Sequence, residues 1–264
     1  MELAEKKYNK LIASRKRRLI RRRIWGFFRI FFIVLFLIGL IWGFNYLYNS
    51  SYFKISSIII KNNSHYSSEL ISKEANLAVG KNIFEVDKKN IEEELLKKFI
   101  WLKGVTLKKI FPNKIIIEVI ERKPFEVILA GGNYFLVDNE GIILDKLDEK
   151  SLKNYKDLIL VRNALKYSPE IGEKIAKKSI LSCGEIYQSL DMEVKKEIKE
   201  SVIENNFAED IVFLTYSGRE IIFGDNDKII EKNAVLKQIL KQISEQNIYY
   251  SMIDLRNIEN PIIK

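Results

Sequence analysis

The sequence contains one cysteine, Cys183, and one histidine, His65, in 264 residues. A lone thiol excludes an internal disulfide framework and any zinc or iron-sulfur site built on several cysteines. A lone imidazole excludes His-pair metal centres. With only 4 Pro and 12 Gly against 47% apolar and 30% charged residues, the chain is not a low-complexity or disordered scaffold. It is long enough for one large domain or two small ones. G-x-S-x-G, P-loop and dinucleotide fingerprints are missing, and there is no internal repeat.

The formal net charge of +9 is not spread along the chain. Residues 1–29 hold eleven Lys and Arg against Glu2 and Glu5, and the remaining residues hold 33 basic and 33 acidic side chains. A nucleic-acid-binding domain has its surplus on the folded surface that meets phosphate, so nucleic acid is not an expected partner. The basic block instead precedes a run without a polar side chain: Ile30, Phe31, Phe32, Ile33, Val34, Leu35, Phe36, Leu37, Ile38, Gly39, Leu40, Ile41, Trp42, Gly43 and Phe44. Extended to residues 24–48, a helix rising about 1.5 Å per residue exceeds a hydrocarbon core of about 30 Å. Arg29 can snorkel to the headgroups, and Trp25, Trp42, Tyr46 and Tyr48 fall where interfacial aromatics belong. This predicts a single-pass anchor in the lipid bilayer, with the tail of residues 1–23 in the cytoplasm and everything after the span outside. A cleaved signal peptide is the rival reading, but the basic region is too long and no small-x-small cleavage site follows.

Beyond the span, residues 53–61 read as a strand, Ser67 or Ser68 opens a short helix, and Asp87 caps a second helix with Ile91, Leu95 and Phe99 on one face. Residues 105–111 and 114–122 follow as strands joined at Pro112-Asn113, with Ile115, Ile117 and Val119 on one face and Pro124 as punctuation. From Phe125 the pattern is richer in strands: 126–129, 134–137, 142–144, a hairpin over 211–223, and strands at 248–255 and 257–263. Two helices are expected, at 174–190 with Ala176, Ile180, Cys183, Tyr187 and Leu190 on one face, and at 226–245 with Ile229, Leu236, Leu240 and Ile243. The fold class is therefore α+β: a transmembrane helix, a β-α-α-β-β module over 49–123 and a β-rich α+β module over 124–264.

The possible chemical motifs are weak. Ser51-Tyr-Phe-Lys54 matches the S-x-x-K pattern of penicillin-recognising enzymes, but the further elements that chemistry needs are missing, and the match reads as chance. Cys183 falls on the apolar stripe of its helix and His65 in a polar turn, which argues against a Cys/His pair. Asp225-Asn-Asp227 lacks the glycine and closing glutamate of a calcium loop and reads as a helix cap. No catalytic residue, metal site or cofactor is expected.

These features resemble the FtsQ/DivIB family of bacterial cell division proteins, over the whole chain. The matching segments are Phe53-Lys-Ile-x-x-Ile58, Gly80-Lys-Asn-Ile-Phe84, Phe111-Pro112, Glu121-Arg-x-Pro124, Val137-Asp-x-x-Gly141 and Asp254-Leu-Arg256. The resemblance implies that the first module is a POTRA domain. It also implies a non-catalytic scaffold in the bacterial cytoplasmic (inner) membrane at the division septum, working with FtsB/DivIC-like and FtsL-like proteins and other divisome components. The alternative is a membrane-anchored POTRA protein in envelope protein assembly or transport. Family likeness places the partner site on the last strands and aligns a partner-pairing arginine with Arg256. The residues agree: if 257–263 is the terminal strand, its outer edge is open to strand addition, with Ile258, Ile262 and Ile263 as apolar contacts beside Asn257, Glu259 and Asn260, and with Pro261 limiting how far pairing runs. The competing expectation is that Ile262 and Ile263 pack on the protein's own core.

Overall fold

A 47-residue helix, α1 (Glu2–Tyr48), opens the chain in a computed structural model that describes residues 2–203 and 210–264, with side chains from Trp25 onward. The basic side chains of the tail up to Arg23 lie outside the described residues. The segment Trp25–Tyr48 is apolar apart from Arg29 and Asn45 near its two ends, and none of it is buried in protein. A helix of that length with no polar face is a single-pass membrane anchor.

By internal contacts the chain falls into two compact units, residues 1–94 with 106–118, and residues 95–105 with 119–264. A three-stranded sheet has the order β1-β3-β2, from β1 (Ser57–Lys61), β2 (Leu102–Ile110) and β3 (Lys114–Glu121). β1 runs parallel to β3, pairing Ile58 with Ile115 and Ile60 with Ile117. β1 begins later than its β-branched run suggests because Ser50 Oγ accepts the Tyr52 N–H at 3.1 Å and winds residues 51–53 into a 3-10 turn. Ser67 caps α2 (Ser68–Glu74), accepting the Leu70 N–H at 3.2 Å. Asp87 does the same for Asn90 at the start of α3 (Lys88–Lys98). Ile91, Leu95 and Phe99 are buried, as are Ile115, Ile117 and Val119, so both expected periodicities hold.

The larger sheet has nine strands in the order β12-β11-β10-β9-β8-β7-β4-β5-β6. Its strands are β4 (Pro124–Ala130), β5 (Asn133–Asp138), β6 (Ile143–Leu147), β7 (Leu160–Leu165), β8 (Ile198–Ile203), β9 (Ile211–Thr215), β10 (Glu220–Gly224), β11 (Met252–Asp254) and β12 (Ile262–Ile263). Three parallel pairings, β4 with β7, β7 with β8 and β10 with β11, interrupt the antiparallel hairpins. Pro124 opens β4 rather than ending a segment. β7 and β8 are unexpected from sequence, as are the short α4 (Glu149–Leu152) and α6 (Met192–Glu197). α5 (Lys178–Ser189) starts four residues late, because residues 172–175 bond to Gly141, Ile142 and Ile143 as extended chain. Ala176 is therefore exposed and Ile175 takes the buried place. Ile180, Cys183, Tyr187 and Leu190 join Leu236 and Ile243 of α7 (Ile229–Gln246) in one core with the sheet, while Ile229 and Leu240 pack at its margin.

The β5–β6 turn shows what the Glu121-Arg-x-Pro and Val-Asp-x-x-Gly segments do. Asp138 Oδ1 accepts the N–H groups of Glu140 (2.9 Å) and Ile142 (2.8 Å), and Oδ2 accepts from Arg122 Nη1 at 2.6 Å. The same Nη1 donates to Glu140 at 2.8 Å, and Lys103 lies 2.8 Å from Glu140 on its other side. Gly141 has φ +82, and a Cβ there would come within 3.0 Å of the Ile175 carbonyl.

Glu126 on β4 is fully buried with no side-chain hydrogen bond to either oxygen. Burial pushes its carboxyl well above the usual range, offset only in part by the nearby Gly184 amide. Above about pH 4.3 the unfolded chain gives up this proton while the folded chain keeps it, so rising pH costs stability there. Glu126→Gln should remove that cost. In denaturant titrations its advantage over the parent should grow by about 1.4 kcal/mol per pH unit from pH 4.3 until Glu126 ionises in the folded state. A difference independent of pH would mean that the carboxyl is ionised in the core.

Candidate functional site

The nine-stranded sheet ends in two unlike edges. At β6, Ile143 donates to the Glu173 carbonyl at 2.9 Å and accepts from Gly172 N–H at 2.8 Å, so the loop before α5 covers the start of that edge. β12 is the other edge. It pairs with β11 alone, Asp254 opposite Ile262 and Ile253 opposite Ile263. Lys264 exchanges both backbone bonds with Met252, its N–H donating at 3.0 Å and its carbonyl accepting at 3.2 Å. Backbone direction alternates along a strand, so Ile262 also faces β11 and the N–H and C=O of Ile263 point outward. Ile262 and Ile263 are 50% and 43% exposed, which removes the expectation that they pack on the protein's own core.

The expected strand over 257–263 is corrected here. Only Ile262 and Ile263 are extended; Asn257, Ile258, Glu259 and Asn260 form a turn, in which Asn257 Oδ1 accepts the Glu259 N–H at 3.1 Å, and Pro261 leads out of it. Asn and Asp side chains that bond two residues ahead favour a turn over a strand. The strand expected over 248–255 shrinks to β11, because Asn247 in the left-handed region ends α7 and Ile248 N–H returns to the Ile243 carbonyl.

Arg256 does not sit free at the start of a strand. Its Nε and Nη2 donate to Asp254, the latter at 2.6 Å, and Nη1 donates to Asp210 at 2.9 Å. Three of its five N–H donors are thus engaged at home, while the side chain stays 51% exposed. The Arg256 hydrogen bonds hold the Asp254 carboxyl below its ordinary range against the opposing effect of burial, and the Asp254 carboxylate in turn raises the guanidinium. Sequence reasoning missed Asp210 and also Gly224, where a Cβ would lie 2.9 Å from Arg256 Cγ and where φ is +78. The absent side chain at the end of β10 is what lets Arg256 lie across it.

The carboxyl with the lowered native value contributes stability above about pH 3.9, lost as pH falls through that native value. Arg256→Gln should move the Asp254 titration, followed by carbon-13 NMR, up toward the ordinary range. It should cost only about 1 kcal/mol, because the Arg256 guanidinium is half in solvent and water can replace part of what it gives the buried Asp254. An unmoved titration would assign the lowering to the backbone N–H alone.

The other sequence candidates stay apart. Cys183 is buried, which raises its thiol, and it takes only a 3.5 Å contact from Ser201 Oγ. Ser51 lies in the exposed turn after α1. Asp225 does not cap α7, whose cap is Lys228 in the left-handed region; it accepts the buried Lys232 ammonium at 2.8 Å, which also donates to the Phe223 carbonyl at 2.9 Å. Among the described residues no group of three His, Cys, Asp or Glu side chains could hold a metal ion.

Comparison with known proteins covers both modules. The sequence model of the FtsQ-type POTRA domain matches residues 53–122, and that of the C-terminal part of cell division protein FtsQ/DivIB matches residues 127–256. The chain is 24% identical to cell division protein DivIB of Clostridium tetani over 80% of its own length and 79% of the relative's. It is 27% identical to DivIB of Clostridium botulinum over 80% and 81%, and 24% identical to cell division protein FtsQ of Rickettsia bellii over 75% and 72%.

Proposed function

The chain belongs to the FtsQ/DivIB family of bacterial cell division proteins, and from that premise we propose that it is a non-catalytic scaffold whose β12 edge accepts a strand from an FtsB/DivIC-like protein, with an FtsL-like protein in the same assembly. In this reading residues 1–23 stay in the cytoplasm, 24–48 cross the membrane, 49–123 form the POTRA domain, and 124–264 carry the partner edge outside the cell at the septum. The basic tail supports that orientation, since clustered Lys and Arg resist export.

The observation that carries the proposal is the contrast between the β6 edge, covered at its start by the loop before α5, and the open β12 edge, with its outward backbone groups and exposed isoleucines. An open edge is a template for β-strand addition and a hazard when left bare. A photo-crosslinking amino acid at Ile262 of the full chain in dividing cells should give an adduct with the FtsB/DivIC-like protein. One at Lys146 on β6 should not. The reverse pattern would move the interface to the opposite end of the sheet.

A further inference from the structure

We propose that a cluster of aromatic rings in the first unit lies in the headgroup region of the bilayer leaflet that α1 leaves, giving the protein a second, peripheral hold on lipid. The cluster is continuous with the span. Phe44 and Tyr48, in the last turns of α1, stack at 6.4 Å between centroids, and Tyr48 stacks on Phe84 at 5.8 Å with planes 17° apart. Phe84 then meets Phe53 at 5.1 Å and Phe111 at 5.5 Å. Asn82 Nδ2 donates to the Tyr48 carbonyl at 2.6 Å, so the loop bearing Phe84 is tied to the helix end by a hydrogen bond as well as by rings.

These rings are not a closed core. Phe84 is 45% exposed, Phe111 57% and Tyr52 63%, though each touches other rings or the edge of the group. Phe84 sits in a 3-10 turn (Ile83–Glu85) and Phe111 on the link between β2 and β3, and both links bond to the residues just before β1: the Asn113 carbonyl accepts the Ser56 N–H and the Lys81 carbonyl accepts the Ile55 N–H. Separate segments thus converge to show apolar rings at one end of the module, within two ring-to-ring steps of the last residue of the span. The interfacial layer on each side of the hydrocarbon is several Å deep, so rings at that distance remain within its reach. Aromatic rings favour this layer, and exposed Lys54, Lys81 and Lys114 around the patch outnumber Glu85 there, which suits anionic headgroups. Water would leave the patch as exposed apolar surface with no use.

The proposal rests on α1 being the membrane span, and the test separates the two. The full chain is reconstituted into vesicles of phosphatidylethanolamine and phosphatidylglycerol containing lipids brominated at shallow or deep chain positions. Trp42 of the parent protein must be quenched by bromine; if it is not, the span itself is wrong. With Trp25→Phe and Trp42→Phe in place, Phe111→Trp and, separately, Phe84→Trp report on the patch against buried Trp101 as a constant background. Leu70→Trp, near the start of α2, serves as the control away from the patch. Tryptophan at 111 and 84 should be quenched more by shallow than by deep bromine, and several-fold less than at 70 by aqueous iodide. Quenching by iodide equal to that at position 70 overturns the proposal. So does shielding from both bromine and iodide, which would show a second copy of the chain covering the rings.

Discussion

Replacing Arg122 by alanine is expected to lower the unfolding free energy by about 3–5 kcal/mol, the cost of leaving a buried charge without its partner. Asp138 is 1% exposed at its side chain and Arg122 16%, so water cannot take over when the guanidinium is removed. The loss reaches further than one pair, because Asp138 also organises the turn through the Glu140 and Ile142 amides. Glu140 keeps Lys103 and its carboxyl, brought down to about 2 by its Lys103 and Arg122 hydrogen bonds, should rise in the variant. Glu140 supports the fold above about pH 4.3, an effect lost as pH falls through about 2, so the parent and variant should differ most at neutral pH. Chemical denaturation of the full chain in detergent at pH 7 reads the difference. A cost near zero would put the pair in the class of screened surface contacts.

The second large effect is on binding. In Ile263→Pro the ring removes the outward N–H of the edge strand, yet takes no hydrogen bond from the β11–β12 ladder, because Ile263 faces away from it. A docking strand would lose that bond and meet the ring, which should weaken its affinity about tenfold or more, equivalent to about 1.4 kcal/mol or more. Ile262→Pro is the informative contrast. It removes a donor that faces β11, and should loosen the end of the sheet itself. Isothermal titration with the extracytoplasmic segment of an FtsB/DivIC-like protein distinguishes them: equal affinity of Ile263→Pro and the parent would take strand addition at this edge out of consideration.

How much of this was legible in the sequence depends on how local each cause is. The α1 span, the phase of α3 and the hairpin now seen as β9 and β10 rest on short-range periodicity, and each emerged where the pattern put it. β7 and β8 were not legible. Leu160–Leu165 and Ile198–Ile203 carry Arg162, Lys199 and Glu200, which break the alternation, and their partners are distant in sequence. Only in the sheet does Arg162 meet Glu200 at 2.5 Å, across 38 residues. The candidate site was half legible. Ile262 and Ile263 were identified as edge residues, but the Asn257 turn that shortens the strand was overlooked. So was the cradle of Arg256, whose Asp210 lies 46 residues away and whose room is made by the missing side chain of Gly224. A glycine's vacancy and an ion pair between distant residues leave no periodic trace. The Asp-Leu-Arg segment, met first as a family motif, has a physical reason once Asp254 is seen holding Arg256 in place.

The most direct test of the edge is hydrogen exchange at single backbone amides of the full chain in nanodiscs, with and without an FtsB/DivIC-like extracytoplasmic segment. The Ile263 amide points outward in the free protein and should exchange quickly, then become strongly protected in the complex, while Ile143 on the covered β6 edge stays unchanged. Saturating partner that leaves Ile263 exchanging at its free rate would contradict strand addition at β12.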